Sequence, residues 1–204
     1  FVRGNLLPRI LDLDRELPSP YLTGVLDDFF DDRLSAMIQT SRGCPYSCTF
    51  CHDGIAYMNK TRAFSLDRVR DELAYIKARV RTPTLLVSDL NWGMFPADIQ
   101  VARMIADLRR QTRWPRNIAC NTAKNQKDRV IDMSQILGDL LQLGAAVQST
   151  DPDVLRAIKR TNISNDAITK MAKASTDAKT GSFTEIILAL PQDSREKHIK
   201  SVMD

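Results

Sequence analysis

The sequence lacks any apolar run of about eighteen residues, so nothing in it is long enough to span a bilayer as a helix. Histidine is nearly absent, with only His52 and His198. Cysteine is scarce, with four residues in 204. No second group of paired Cys or His ligands accompanies them, which removes the usual pattern of a structural zinc site. Charge is not strongly one-sided. Lys and Arg number 29 and Asp and Glu 25, interspersed, for a net +4. That balance gives no indication of nucleic-acid binding. No secretory signal is evident, and few cysteines imply a reducing, cytoplasmic compartment. Hydrophobic residues make up 43%, ordinary for a soluble domain with one sizeable core.

Three of the four cysteines fall in one short stretch, Ser41-Arg42-Gly43-Cys44-Pro45-Tyr46-Ser47-Cys48-Thr49-Phe50-Cys51. Thiolates are the usual ligands of iron–sulfur clusters, one per iron of a cubane. Cys44, Cys48 and Cys51 supply three, leaving one iron open to bind a substrate or cofactor. A disulfide framework does not suit three neighbouring thiols. The competing metal is zinc, with His52 completing a Cys₃His set. Cys120 lies far away in an apolar strand and reads as a buried structural thiol.

Residues 1–34 hold Pro8, Pro18 and Pro20 and little periodicity. They read as a linker or N-terminal extension, with a short helical turn or acidic loop at 27–32. From Ser35 to the end the pattern becomes one α/β core domain. Strands are expected at 36–40, 84–88, 117–121, 145–149 and 184–189. Helices follow each: one capped by Ser65, one after Pro96, one marked by Val130, Met133, Ile136 or Leu137, and Leu140, one at Asp151-Pro152, one from Ser164 or Asn165 to before Gly181, and one after Asp193 or Ser194. Five β/α units in series predict a parallel sheet with outer helices, either barrel-type or doubly wound. Active groups then gather at the C-terminal strand ends. The chain opens at Phe1 without an initiator Met and ends at Asp204 inside a helical pattern, so a fragment of a longer protein is expected.

The Cys-x₃-Cys-x₂-Cys motif resembles that of the radical S-adenosylmethionine (SAM) superfamily. The resemblance implies a partial TIM barrel of the (β/α)₆ type, truncated after about five units. It implies a 4Fe–4S cluster on Cys44, Cys48 and Cys51 that reductively cleaves SAM to a 5′-deoxyadenosyl radical. An external reductant such as flavodoxin or ferredoxin would supply the electron. Phe50 matches the aromatic expected beside the adenine, and His52 adjoins it. Asp89-Leu90-Asn91-Trp92-Gly93-Met94 occupies the place of the usual Gly-Gly-Glu. Asp89 and Asn91 are the acceptors there for the SAM amino group. Lys124 suits the SAM carboxylate or a substrate anion. The stretch from Val147-Gln148-Ser149-Thr150-Asp151-Pro152 to Arg160 resembles the fourth strand end of methylthiotransferases and of cobalamin-associated members. This implies ribose contacts from Gln148 and Ser149 and a carboxylate contact from Arg160. Ala189 and Gln192 stand where glycines are usual, which weakens the expected adenine contact at that strand. Leu17-Pro18-Ser19-Pro20-Tyr21-Leu22-Thr23-Gly24 is similar to the connection after an upstream cobalamin-binding domain. The implied reaction is then C-methylation of an unknown substrate. Methylthiotransferase chemistry and a non-enzymatic zinc domain are the alternatives.

Overall fold

The computed structural model describes residues 4–5, 7–177 and 180–204. The start of the expected linker and the helix end expected before Gly181 therefore lie partly outside the described residues.

The core strands are β1 (Ala36–Ile38), β4 (Thr84–Trp92), β5 (Asn117–Thr122), β6 (Leu143–Gln148) and β7 (Ser182–Ile186). β1, β4 and β5 form one parallel sheet in that order, and β6 pairs with β7 in parallel. Thr122 Oγ1 on β5 donates to the Gly144 carbonyl on β6 at 3.1 Å, bridging the two pieces. The strands thus follow one another in chain order. A doubly wound sheet reverses order part-way, whereas a barrel does not, so this is the barrel arrangement. Two short strands, β2 (Ser41–Arg42) and β3 (Arg62–Ala63), pair antiparallel and close the base of the cysteine loop. Periodicity did not foretell them, because two-residue strands carry no period.

Helices α2 (Leu66–Arg79), α3 (Pro96–Thr112), α4 (Lys127–Leu137), α5 (Pro152–Ala157), α6 (Asn165–Asp177) and α7 (Arg195–Met203) fill the expected places, after a short α1 (Leu13–Glu16). On α2 the Ser65 hydroxyl accepts from the Arg68 N–H at 3.2 Å, satisfying an end donor. Val69, Leu73 and Ile76 form its buried stripe. α4 ends at Leu137 and a 3₁₀ turn carries the chain to Leu140, so the expected third helix is split.

Strand bounds differ from expectation at both ends. β1 stops at Ile38, because Thr40 turns to the side chain of Asp89. β6 and β7 begin two residues early and end early. Their register pairs Leu143 with Ser182, and Ala189 adopts a left-handed conformation that no strand continues through. The N-terminal segment is not a free linker along its length. Leu13, Ser19 and Tyr21 are buried, and the Tyr21 hydroxyl bonds both the N–H and the carbonyl of Met37 on β1. The turn expected at 27–32 is a 3₁₀ helix at Asp27–Phe29.

Candidate functional site

The cysteine loop leaves β2 and lies over the C-terminal ends of β1 and β4. Gly43 opens it with φ +93°, and a Cβ there would stand 2.1 Å from the Lys60 carbonyl. Only glycine accepts both conditions. Cys44 and Cys48 are buried and Cys51 half-buried. The loop is closed by one internal turn and tied to the rest of the fold at two points. Cys51 N–H donates to the Cys48 carbonyl at 3.1 Å, Thr49 N–H to the Ile158 carbonyl at 3.2 Å, and Asn91 Nδ2 to Cys44 Sγ at 3.2 Å. Burial, followed by the charge of Cys44, pushes the Tyr46 phenol up.

Among the described residues no three His, Cys, Asp or Glu side chains converge on the position of a single metal ion. A cubane asks less of its ligands, since each thiolate takes its own iron. The donor set fits a cluster better than one zinc, and His52 stands exposed beside the loop.

Two strand ends carry buried acceptors that accept no hydrogen bond. They are Asn91 Oδ1 on β4 and Gln148 Oε1 on β6; Trp92 Nε1, deep in the core, is likewise unpaired. An unpaired buried acceptor costs about 1–3 kcal/mol. Gln148 also sits at φ +70°, a strained setting for a residue with a side chain. Backbone strain and an unpaired acceptor thus coincide at one strand end.

Other expected site residues fall differently. Asp89 does not present a free carboxylate to a ligand. It is fully buried, and its oxygens accept from Thr40 N–H (2.7 Å), Thr40 Oγ1 (2.6 Å) and Ser41 Oγ (2.7 Å). The Ser149 hydroxyl is likewise taken up inside the fold, 3.2 Å from Ser201 Oγ and accepting from Asp151 N–H. Lys124 and Arg160 do come together, with Lys159, around a cleft of about 280 Å³ against Tyr46, Ser47 and Cys48. Arg160 is steadied by bonds to the Ala146 carbonyl and Asn162. Lys127 stands behind this group. Burial first, then the charge of Arg160, pull it down to about 8. Phe50 is 37% exposed at the loop surface. Ala189 and Gln192 hold φ +60° and +67°, so this loop keeps a glycine-like backbone without glycine. Thr40, Ser41, Tyr46 and Lys159 were not foreseen. The Thr40–Asp89 partners are 49 residues apart, a separation that no local pattern reveals. A larger hollow of about 580 Å³ between α3 and α4 is lined by none of these residues.

Residues 38–202 match the radical SAM superfamily. The chain belongs to that superfamily. Membership implies a 4Fe–4S cluster and SAM as cofactors. It is 39% identical over 201 residues to the cobalamin-dependent radical SAM methyltransferase TokK of Streptomyces tokunonensis, covering 94% of this chain and 29% of TokK. It is 40% identical over 188 residues to the 2-(S-pantetheinyl)-carbapenam-3-carboxylate methyltransferase of Streptantibioticus cattleyicolor, covering 88% of this chain and 28% of that one. The chain therefore spans under a third of these radical SAM relatives. The radical SAM methyltransferase TsrM from Kitasatospora setae, solved with tryptophan and a SAM analogue, superposes with TM-score 0.66 at 15% identity, over 86% of this chain and 34% of TsrM. The cobalamin-dependent enzyme OxsB gives 0.64 at 17%, over 96% and 29%. At these identities the two structures establish the shared fold.

Proposed function

We propose that this chain is the SAM-cleaving core of a cobalamin-dependent radical SAM methyltransferase that methylates carbon. The observation carrying it is that the cysteine loop is tied to Asn91 and that two unpaired buried acceptors, Asn91 Oδ1 and Gln148 Oε1, lie at the C-terminal ends of β4 and β6. Cys44, Cys48 and Cys51 hold the cluster. When bound and reduced by a flavodoxin or ferredoxin, the cluster supplies the electron that cleaves SAM to methionine and a 5′-deoxyadenosyl radical.

The protein's own residues bind and orient. Asn91 Oδ1 accepts from the SAM ammonium, and Gln148 Oε1 from a ribose hydroxyl. Lys124, Lys159 and Arg160 offer a cationic wall for a carboxylate, on SAM or on the substrate. Phe50 gives the adenine an apolar face. Asp89 and Ser149 act from inside the fold.

Cobalamin enters from the relatives: TokK carries it in its name, and TsrM and OxsB were solved with it bound. We place it on a domain before residues 1–34, which then form the connection. The named relatives favour methyl transfer over methylthiolation. A carbapenam thioether of the kind named for the second relative is the first substrate to assay. The test is anaerobic reconstitution with iron and sulfide. A brown protein with about four irons per chain is expected. A colourless protein binding one zinc refutes the proposal.

A further inference from the structure

β4 changes character along its buried positions. These are Leu85, Val87, Asp89 and Asn91, the first two apolar and the last two polar. The ladder to β5 is irregular between Val87 and Trp92, yet Asp89 and Asn91 are both buried and both bond residues at or next to the cysteine loop. β1 lies alongside in parallel, with Ile38 opposite Val87. Two residues further along that register bring Thr40 beside Asp89.

A fully buried carboxylate is expensive without compensation. No cation lies in ion-pair range of Asp89 among the described residues. Hydrogen bonds offset part of that cost, and their donors come from Thr40 and Ser41, the two residues that lead into the cysteine loop. Two positions along the strand, Asn91 Nδ2 donates to Cys44 Sγ. Packing alone would have been served by another Leu or Val, as at the two preceding buried positions.

We infer that Asp89 and Asn91 form a two-point clamp that positions the cluster loop, Asp89 holding its entry and Asn91 its first ligating sulfur. Asp89 is a positioning residue acting through Thr40 and Ser41. Asn91 acts on the ligand itself. A hydrogen bond to a coordinating sulfur draws charge from it, so the bound cluster becomes easier to reduce. One amide then touches the ligand sulfur through Nδ2 while its Oδ1 faces the other way. The clamp rests on the cluster assignment proposed above.

The test compares the reconstituted protein with Asp89→Asn, Asn91→Leu and the triple variant Thr40→Val/Ser41→Ala/Asp89→Leu. The triple variant removes the two hydroxyl donors together with the acceptor, so only the backbone N–H of residue 40 still loses its partner, and the fold should be spared. Circular dichroism checks that it is. Two quantities are read: the rate of iron loss to a chelator and the midpoint potential of the bound cluster. The triple variant should lose iron about tenfold faster or more, as expected when a ligand's support is removed. Asp89→Asn, which still accepts from Thr40, should fall between it and wild type. Asn91→Leu should shift the potential to a more negative value. Unchanged iron-loss rates together with an unchanged potential overturn the clamp alone. A wild-type protein that takes up no iron and sulfide overturns the cluster assignment and the clamp with it.

Discussion

Gly43 shows how little freedom the loop allows at one residue. Its φ of +93° disfavours any side chain, and the Lys60 carbonyl occupies the space a Cβ would need. That obstacle is backbone, held by the β2–β3 pairing, and cannot swing aside. Gly43→Ala should destabilise the protein by about 2 kcal/mol or more and reduce iron uptake, read by thermal melting and metal analysis. Cys120 is the opposite case. Burial, with the charge of Asp89 adding, pushes its thiol up to about 12, so no thiolate is available at neutral pH. Cys120→Ala should leave iron content unchanged. A loss of about one iron per chain would make it a ligand. The grouping of three cysteines on one loop and the apolar setting of Cys120 were legible in the sequence, because spacing and neighbourhood are local. The role of Asp89 was not. Its identity as a strand-end acceptor was readable, but its partners lie across the sheet.

Elements were legible where period and caps agreed, and least so where pairing set the bounds. α2 begins after Ser65 as expected, since the cap and the stripe of Val69, Leu73 and Ile76 point the same way. β6 and β7 shifted because register with a neighbour is invisible to a single segment. The loop after β7 keeps left-handed residues without glycine, at a cost of roughly 1 kcal/mol each. Ala189→Gly and Gln192→Gly should therefore be neutral to stabilising by denaturant unfolding, where most glycine substitutions destabilise. The start of α3 adds a pH dependence. Asp98 accepts from the N–H groups of Gly93 and Phe95, both at 2.9 Å. Burial outweighs these bonds and raises it from the usual 3.8 to about 6. The folded value lies above the unfolded one, so between them the folded chain holds more protons. Its contribution is fully present below 3.8 and lost as pH rises through about 6. Relative to Asp98→Asn, the protein should lose on the order of 2 kcal/mol between pH 4 and pH 7. A constant difference across that range would show that Asp98 does not carry it.

Across the whole molecule, parallel strands in chain order bring their following loops to one rim. The cysteine loop after β1, Asn91 at the end of β4 and Gln148 at the end of β6 are separated by about a hundred residues of sequence yet belong to one end of the barrel. Thr49 on the loop bonds the Ile158 carbonyl after α5, so the first and fourth units are physically joined there. A ligand at that rim must feel both. SAM binding should therefore depend on the cluster, through its open iron, and on the β6 strand end. Gln148→Ala removes an acceptor already buried and unpaired, so the empty protein should lose little stability or even gain some. Its SAM affinity should fall about tenfold, the worth of one hydrogen bond to a buried polar partner. The variant lacking Cys44, Cys48 and Cys51 should bind more weakly still. Equilibrium dialysis of labelled SAM against the three reconstituted proteins separates these cases. Equal affinity in all three would move the SAM site away from this rim, whereas a loss confined to the cysteine-less variant would remove Gln148 from it and leave the cluster as its anchor.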